Sequence, residues 1–165
     1  MNEYYKIAKS HYMEASMQML EHFKKNVIEL HHIGSTSIKK LNSSKGIDVL
    51  VILKTVTEVS ELEDILIAEG YEVVSVNNSF FKEESVFYGQ FGDCDVNFIF
   101  MSDRDKKSEI LLCKDLLMEN DEYLQDFQAL KQLHNESIID NDEYQQRKTE
   151  FFSSILKEAK DLNIV

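Results

Sequence analysis

The chain has 165 residues, 43% of them hydrophobic, with a formal net charge of −12 and a pI near 4.8. That length fits one domain able to bury roughly 70% of the surface its extended chain exposes. The acidity excludes general binding to nucleic acid or to an anionic membrane surface, since both need a basic face; it otherwise implies solubility. Cys94 and Cys113 lack CxxC spacing. They suggest neither a disulfide framework nor a zinc site, and point to a reducing compartment. The N-terminus shows no basic segment leading into an apolar run. The longest purely apolar run, Val49 to Leu53, is far too short to span a bilayer. A soluble, cytoplasmic protein is expected.

Tyr5, Ala8, Tyr12, Ala15, Met19 and Phe23 recur at steps of three and four, one apolar stripe on a helix over about residues 3–25. Val27 to Ile33 reads as a short strand and Gly34 to Lys45 as a polar loop. Ile47 to Leu53 is apolar on both faces, hence a central strand. Val56 to Glu69 forms a second helix, stopped by Gly70 in the C′ position. Tyr71 to Val76 is a strand and Asn77-Asn78 a turn; Ser79 to Lys82, Val86 to Phe91 and Asp95 to Met101 complete an antiparallel meander. After Ser102 the pattern is helical only: Lys106 to Glu119, Glu122 to Asn135, and a last helix capped by Asp140 with Glu143 three residues on. No repeat or linker divides the chain. A single domain over 1–165 is expected, its sheet in about 1–102 and its helices in about 103–165, an α+β arrangement.

The stretch from Gly34 to Gly46 carries three lysines, five hydroxyl side chains and no carboxylate, in an otherwise acidic protein. Backbone N–H groups at Gly34-Ser35-Thr36, with hydroxyls and a nearby ammonium such as Lys45, are what a phosphate cradle needs. The bland alternative is a strand end followed by a helix cap. Asp48 follows at the head of the central strand, placed either to hold magnesium on a nucleotide's phosphates or to cap a neighbouring turn. With period-two alternation Asp95 and Asn97 share one face and can meet Asp48 from an adjacent strand. The competing reading of Asp93-Cys94-Asp95 is a solvent-facing edge. His32 precedes the turn as either a satisfied structural histidine or a catalytic one, while His31 beside it faces the other way. Phe80-Phe81-Lys82 offers core packing with a phosphate-facing lysine at Lys82. Arg104, Lys106 and Lys107 read as a solvated helix start.

His32-Ile33-Gly34-Ser35-Thr36, Leu41 and Ile47-Asp48-Val49-Leu50-Val51 resemble the GrpB family of bacterial proteins, grouped with the nucleotidyltransferase (DNA polymerase β-like) superfamily. The resemblance extends over about residues 15–160, through Gly70-Tyr71, Phe81-Lys82 and the Asp95 to Phe100 strand. It continues in the helical C-terminal pattern of Lys114-Asp115-Leu116-Leu117, Phe127 with Lys131, and Tyr144 with Lys148 and Phe151. It implies a nucleotidyltransferase-like mixed or antiparallel sheet flanked by helices, with a helical C-terminal part. Such proteins carry Gly-Ser on a turn, two alternating carboxylates on the next strand and a third on a later one. Asp48 resembles the second of the pair, Gly46 stands in place of the first, and Asp95 is the candidate third. Asn97 takes a place where the family often has histidine, and Lys45 is displaced by one position with no proline beside it.

The function so implied is nucleoside triphosphate binding with Mg²⁺, with possible nucleotidyl transfer to an acceptor. Asp48 and Asp95 would hold the metal and act in catalysis. Gly34, Ser35, Thr36, Lys45, His32, Lys82 and Asn97 would surround the nucleotide. The alternative is a catalytically inactive module binding a nucleotide or phosphorylated metabolite, or a protein partner, on the same fold.

Overall fold

In the computed structural model, residues 4–23, 26–41, 46–55, 57–74 and 84–162 are described. The expected Asn77-Asn78 turn and Ser79–Lys82 strand lie outside them, as do Lys45 and Lys82. The chain begins with helix α1 (Tyr5–Phe23), strand β1 (Val27–Ile33), a 3₁₀ turn at Ser35–Ser37 and strand β2 (Gly46–Leu53). Helix α2 (Thr57–Ala68) leads to β3 (Glu72–Val74), β4 (Ser85–Phe91) and β5 (Cys94–Met101). Helices α3 (Arg104–Glu119), α4 (Asp121–Asn135) and α5 (Asn141–Asp161) follow.

The strand order is β1-β2-β5-β4-β3. β2 pairs antiparallel with β1 and parallel with β5, while β5, β4 and β3 are antiparallel. The sheet is therefore mixed. The unbroken apolar run of β2 is explained by its place between two neighbours, with residues 49–53 fully or almost fully buried.

The two faces bury different partners. Val49, Val51, Phe98 and Phe100 pack with Ala8, Ala15 and Met19 of α1 and with Val59 and Leu66 of α2. Leu50, Ile52, Ile99 and Met101 point the other way, against Ile110 and Leu111 of α3. Burying each such side chain stabilises the fold by about 1.5–3 kcal/mol. A separate cluster joins Ile38 and Leu41, from the segment after β1, to Leu117, Phe127, Phe152 and Ile155 of the last three helices. Those helices are thereby anchored over the end of the sheet where β1 turns into the 3₁₀ segment.

Local signals account for the boundaries. Gly70 adopts φ 101°, and the N–H of Tyr71 donates to the carbonyl of Leu66, closing α2 as a left-handed glycine allows. Asp103, Asn120 and Asp140 cap α3, α4 and α5 by accepting from the N–H of Lys106, Tyr123 and Glu143. Among the described residues no helix is long and apolar enough to cross a membrane.

Candidate functional site

Asp48 is the third residue of β2, directly opposite Ile33 on one side and Asn97 on the other. Asn97 Nδ2 donates to Asp48 Oδ1 at 3.3 Å. The carboxylate lies against the turn that follows β1: a Cβ built on Gly34 would stand 2.7 Å from Asp48 Oδ2. Gly34 also holds φ at 77°, a conformation that side chains disfavour. Ser37 Oγ donates to the Gly34 carbonyl at 2.6 Å, which fixes the turn from behind.

This carboxylate opens onto a cavity of about 550 Å³ between the sheet end and the three C-terminal helices. Lys114 of α3, Lys131 of α4 and Lys148 of α5 also line it. Lys114 Nζ donates to the His32 carbonyl at 2.8 Å, and Lys148 Nζ lies 5.9 Å from the centre of the Tyr144 ring. Burial pushes the Asp48 carboxyl above its ordinary range, opposed by the Asn97 hydrogen bond and by the charges of Lys148 and Lys131. Burial likewise depresses both lysines, with Asp48 pulling each back up. Lys131, which also feels the charge of Lys148, is brought down to about 8. Burial depresses Lys114 too. The walls between these charges are apolar, with Ile38, Leu117, Phe127, Phe152 and Leu156 among them.

The residues singled out in the sequence divide into groups. Gly34, Ser35 and Asp48 line the cavity, and Asn97 supports Asp48. His32 and Thr36 do something else. His32 lies one residue out of step with Ile33 on β1, so its ring faces α1 and stacks on Tyr12 with ring centres 5.0 Å apart. His32 Nε2 and Thr36 Oγ1 are 3.0 Å apart, and both side chains are buried. Burial, with the charges of Lys114 and Lys9, drives the imidazole down to about 4, so it is neutral near pH 7. Asp95 shares the face of Asp48 but is opposite Gly46, one strand repeat further out. It is exposed, accepts from the Tyr88 hydroxyl at 2.6 Å, and is absent from the cavity lining. Lys106 and Lys107, expected as a solvated helix start, are ion-paired with Glu84 and Glu29.

Magnesium bound in the two-carboxylate manner does not fit these side chains. Among the described residues, an amide donor and ammonium groups stand beside Asp48 rather than a second acid. Among the described residues no three His, Cys, Asp or Glu side chains gather into a metal-binding group. Lys131 and Lys148 beside the carboxylate, with Lys114 on the lining of the same cavity, make this a donor-rich pocket, suited to an anion.

Lys114, Lys131 and Lys148 entered the sequence reading only as parts of a helical pattern. Their signal was a lysine four residues after an aromatic on an apolar helix face, at Phe127–Lys131 and Tyr144–Lys148. Nothing local, however, shows that three separate helices aim these side chains at one strand end.

A five-stranded mixed sheet covered by helices, with a glycine turn folded over a strand carboxylate, defines an α+β protein with its candidate site at a strand end. The GrpB family model, described as GrpB protein, matches residues 2–158, and the chain belongs to the GrpB family. The nucleotidyltransferase-like superfamily is consistent with that membership. The fold is similar to the crystal structure of conserved protein GrpB from Enterococcus faecalis. That likeness has a TM-score of 0.75 at 23% identity, covering 96% of this chain and 95% of that one. No curated protein matches the chain.

Proposed function

We propose that the chain binds the phosphate group of a nucleotide or other phosphorylated small molecule in the cavity beside Asp48. The observation that carries this reading is the convergence of Lys114, Lys131 and Lys148 on that cavity, in a chain of net charge −12. Burial disfavours the charged form of all three lysines, and an anion in the cavity would offset that cost. Gly34 and Ser35 add a turn whose backbone approaches the same carboxylate.

Metal-dependent nucleotidyl transfer is the weaker reading, since it needs a second acid beside Asp48. Titration of the purified chain with inorganic phosphate and ATP, with and without Mg²⁺, tests the two together. Binding that needs no metal and is lost in Lys148→Met supports the phosphate-binding module. Binding that requires Mg²⁺ and disappears in Asp48→Asn would replace it with the transferase. No binding of either anion removes both.

A further inference from the structure

We infer that two copies of the chain associate through the outer edge of β1, aligned antiparallel about Leu30, with the neighbouring flank of α1 as the apolar part of the contact. β1 ends the sheet: β2 pairs with one side of it, and among the described residues no strand pairs with the other. Such an edge carries a row of backbone donors and acceptors that a further strand can take up. The bulge between Val27 and Glu29 bounds the regular stretch at one end. Toward the other end the His32 carbonyl already accepts from Lys114 Nζ, which leaves Glu29 to His31 at the centre of the edge.

Helix α1 packs on the sheet beside this edge and exposes an apolar row. Its Tyr12 stacks on His32 of β1. On its other side Gln18 accepts from the hydroxyl of Tyr71, just before β3 at the opposite edge of the sheet. Leu20 and Met13 stand about 80–100° round the helix from Tyr12, away from Gln18, with Met17 about 40° further on. All three therefore lie on the β1 flank, where Leu20 is 41% exposed, Met13 57% and Met17 65%. Lys6 and Lys9 share that arc, whereas the two carboxylates of α1, Glu14 and Glu21, fall outside it. In a chain of net charge −12, a helix flank without carboxylates is where a second copy meets least repulsion.

A two-fold contact presents the same patch from both copies. Centred on Leu30, it sets Glu29 of each copy opposite His31 of the other. These two side chains already meet within one strand at 3.2 Å and are both partly exposed. Pairing the strands joins them into an alternating group of two carboxylates and two imidazoles. A centre at Glu29 would instead face like carboxylates across the ladder, which is unfavourable. On the other sheet face, Leu30 packs toward the core under α1 and meets its own copy beside the Met13, Met17 and Leu20 row.

Sedimentation velocity of the full chain across micromolar concentrations tests this, with melting curves to check that each variant is folded. A concentration-dependent dimer is expected. Met17→Lys, and independently Met13→Lys, should weaken it about tenfold or more. His31→Glu, which faces carboxylates across the two-fold, should weaken it as well. Ile7→Lys, at a 48% exposed position on the far side of α1, should leave it unchanged. A monomer at every concentration overturns the inference, as does a dimer that Ile7→Lys weakens as much as Met17→Lys. A dimer lost in Met17→Lys but indifferent to His31→Glu overturns the pairing of the β1 edges.

Discussion

The Asp48 carboxylate occupies the space that a side chain on Gly34 would need, with Oδ2 only 2.7 Å from the position of a Cβ. Turn and strand are thus fitted to each other by the absence of one carbon. Gly34→Ala is expected to destabilise the protein by about 2 kcal/mol or more, combining the unfavourable φ with overpacking. Urea denaturation measures the loss. In a double-mutant cycle, Asp48→Ala should recover part of it, because only the overpacking involves the carboxylate. A coupling energy of zero would mean that backbone strain alone sets the effect.

Lys131 carries a pH dependence whose sign follows from its direction of shift. Its folded value is about 8 against an ordinary 10.5, so between these values the unfolded chain holds more protons than the folded one. The Lys131 contribution to stability therefore rises with pH across roughly 8 to 10.5, and Lys131→Met should remove that rise. Asp48 holds the lysine up, so Asp48→Asn should lower the Lys131 titration further. NMR titration of the lysine Cε signals follows this directly, and an unchanged or higher midpoint would contradict the placement of Asp48 beside it.

Much of this site was legible in the chain, but only where the pattern is local. The apolar run of β2 announced a central strand, and period-two alternation put Asp95 and Asn97 on the face of Asp48. The same alternation carried a limit: it gives the face but not the position along the strand. Asn97 is opposite Asp48, and Asp95 is opposite Gly46. His32 illustrates a related point. Two residues before Gly34, it was open to a structural or a catalytic role, and one step along a strand turns a side chain to the other face, here toward Tyr12. The lysines depend on the packing of three helices across long sequence separations, which no short spacing encodes.

His32 supplies a second pH effect, in the acidic range. Its folded value is about 4 against an ordinary 6.5, so the unfolded chain takes up the proton first as pH falls. Stability from this group is fully present above pH 6.5 and is lost progressively down to about pH 4, by up to roughly 3 kcal/mol. His32→Phe keeps the stacking on Tyr12 but leaves the Thr36 hydroxyl without its imidazole. That variant should be less stable at pH 7 by about 1 kcal/mol or more and show a flatter acid limb. Denaturation curves from pH 4 to 7 compare the two, and parallel limbs would exclude His32 as the source.

Gly46 offers a way to ask what separates this site from a metal-binding one. It is exposed, a Cβ there meets nothing within 4 Å, and it lies opposite Asp95 and two residues before Asp48 on one face. Gly46→Asp therefore adds a third carboxylate to two adjacent strands without steric conflict. Like charges facing across a ladder repel, so the metal-free variant should lose about 0.5–1 kcal/mol. A divalent cation relieves that repulsion and binds oxygen ligands that do not gather among the described residues of the natural chain. Millimolar Mn²⁺ should accordingly raise the melting temperature of the variant and leave the natural chain unmoved. A cation response in the natural chain as large as in the variant would show that Asp48 and its present neighbours already suffice to hold the metal, and would return the transferase reading to first place.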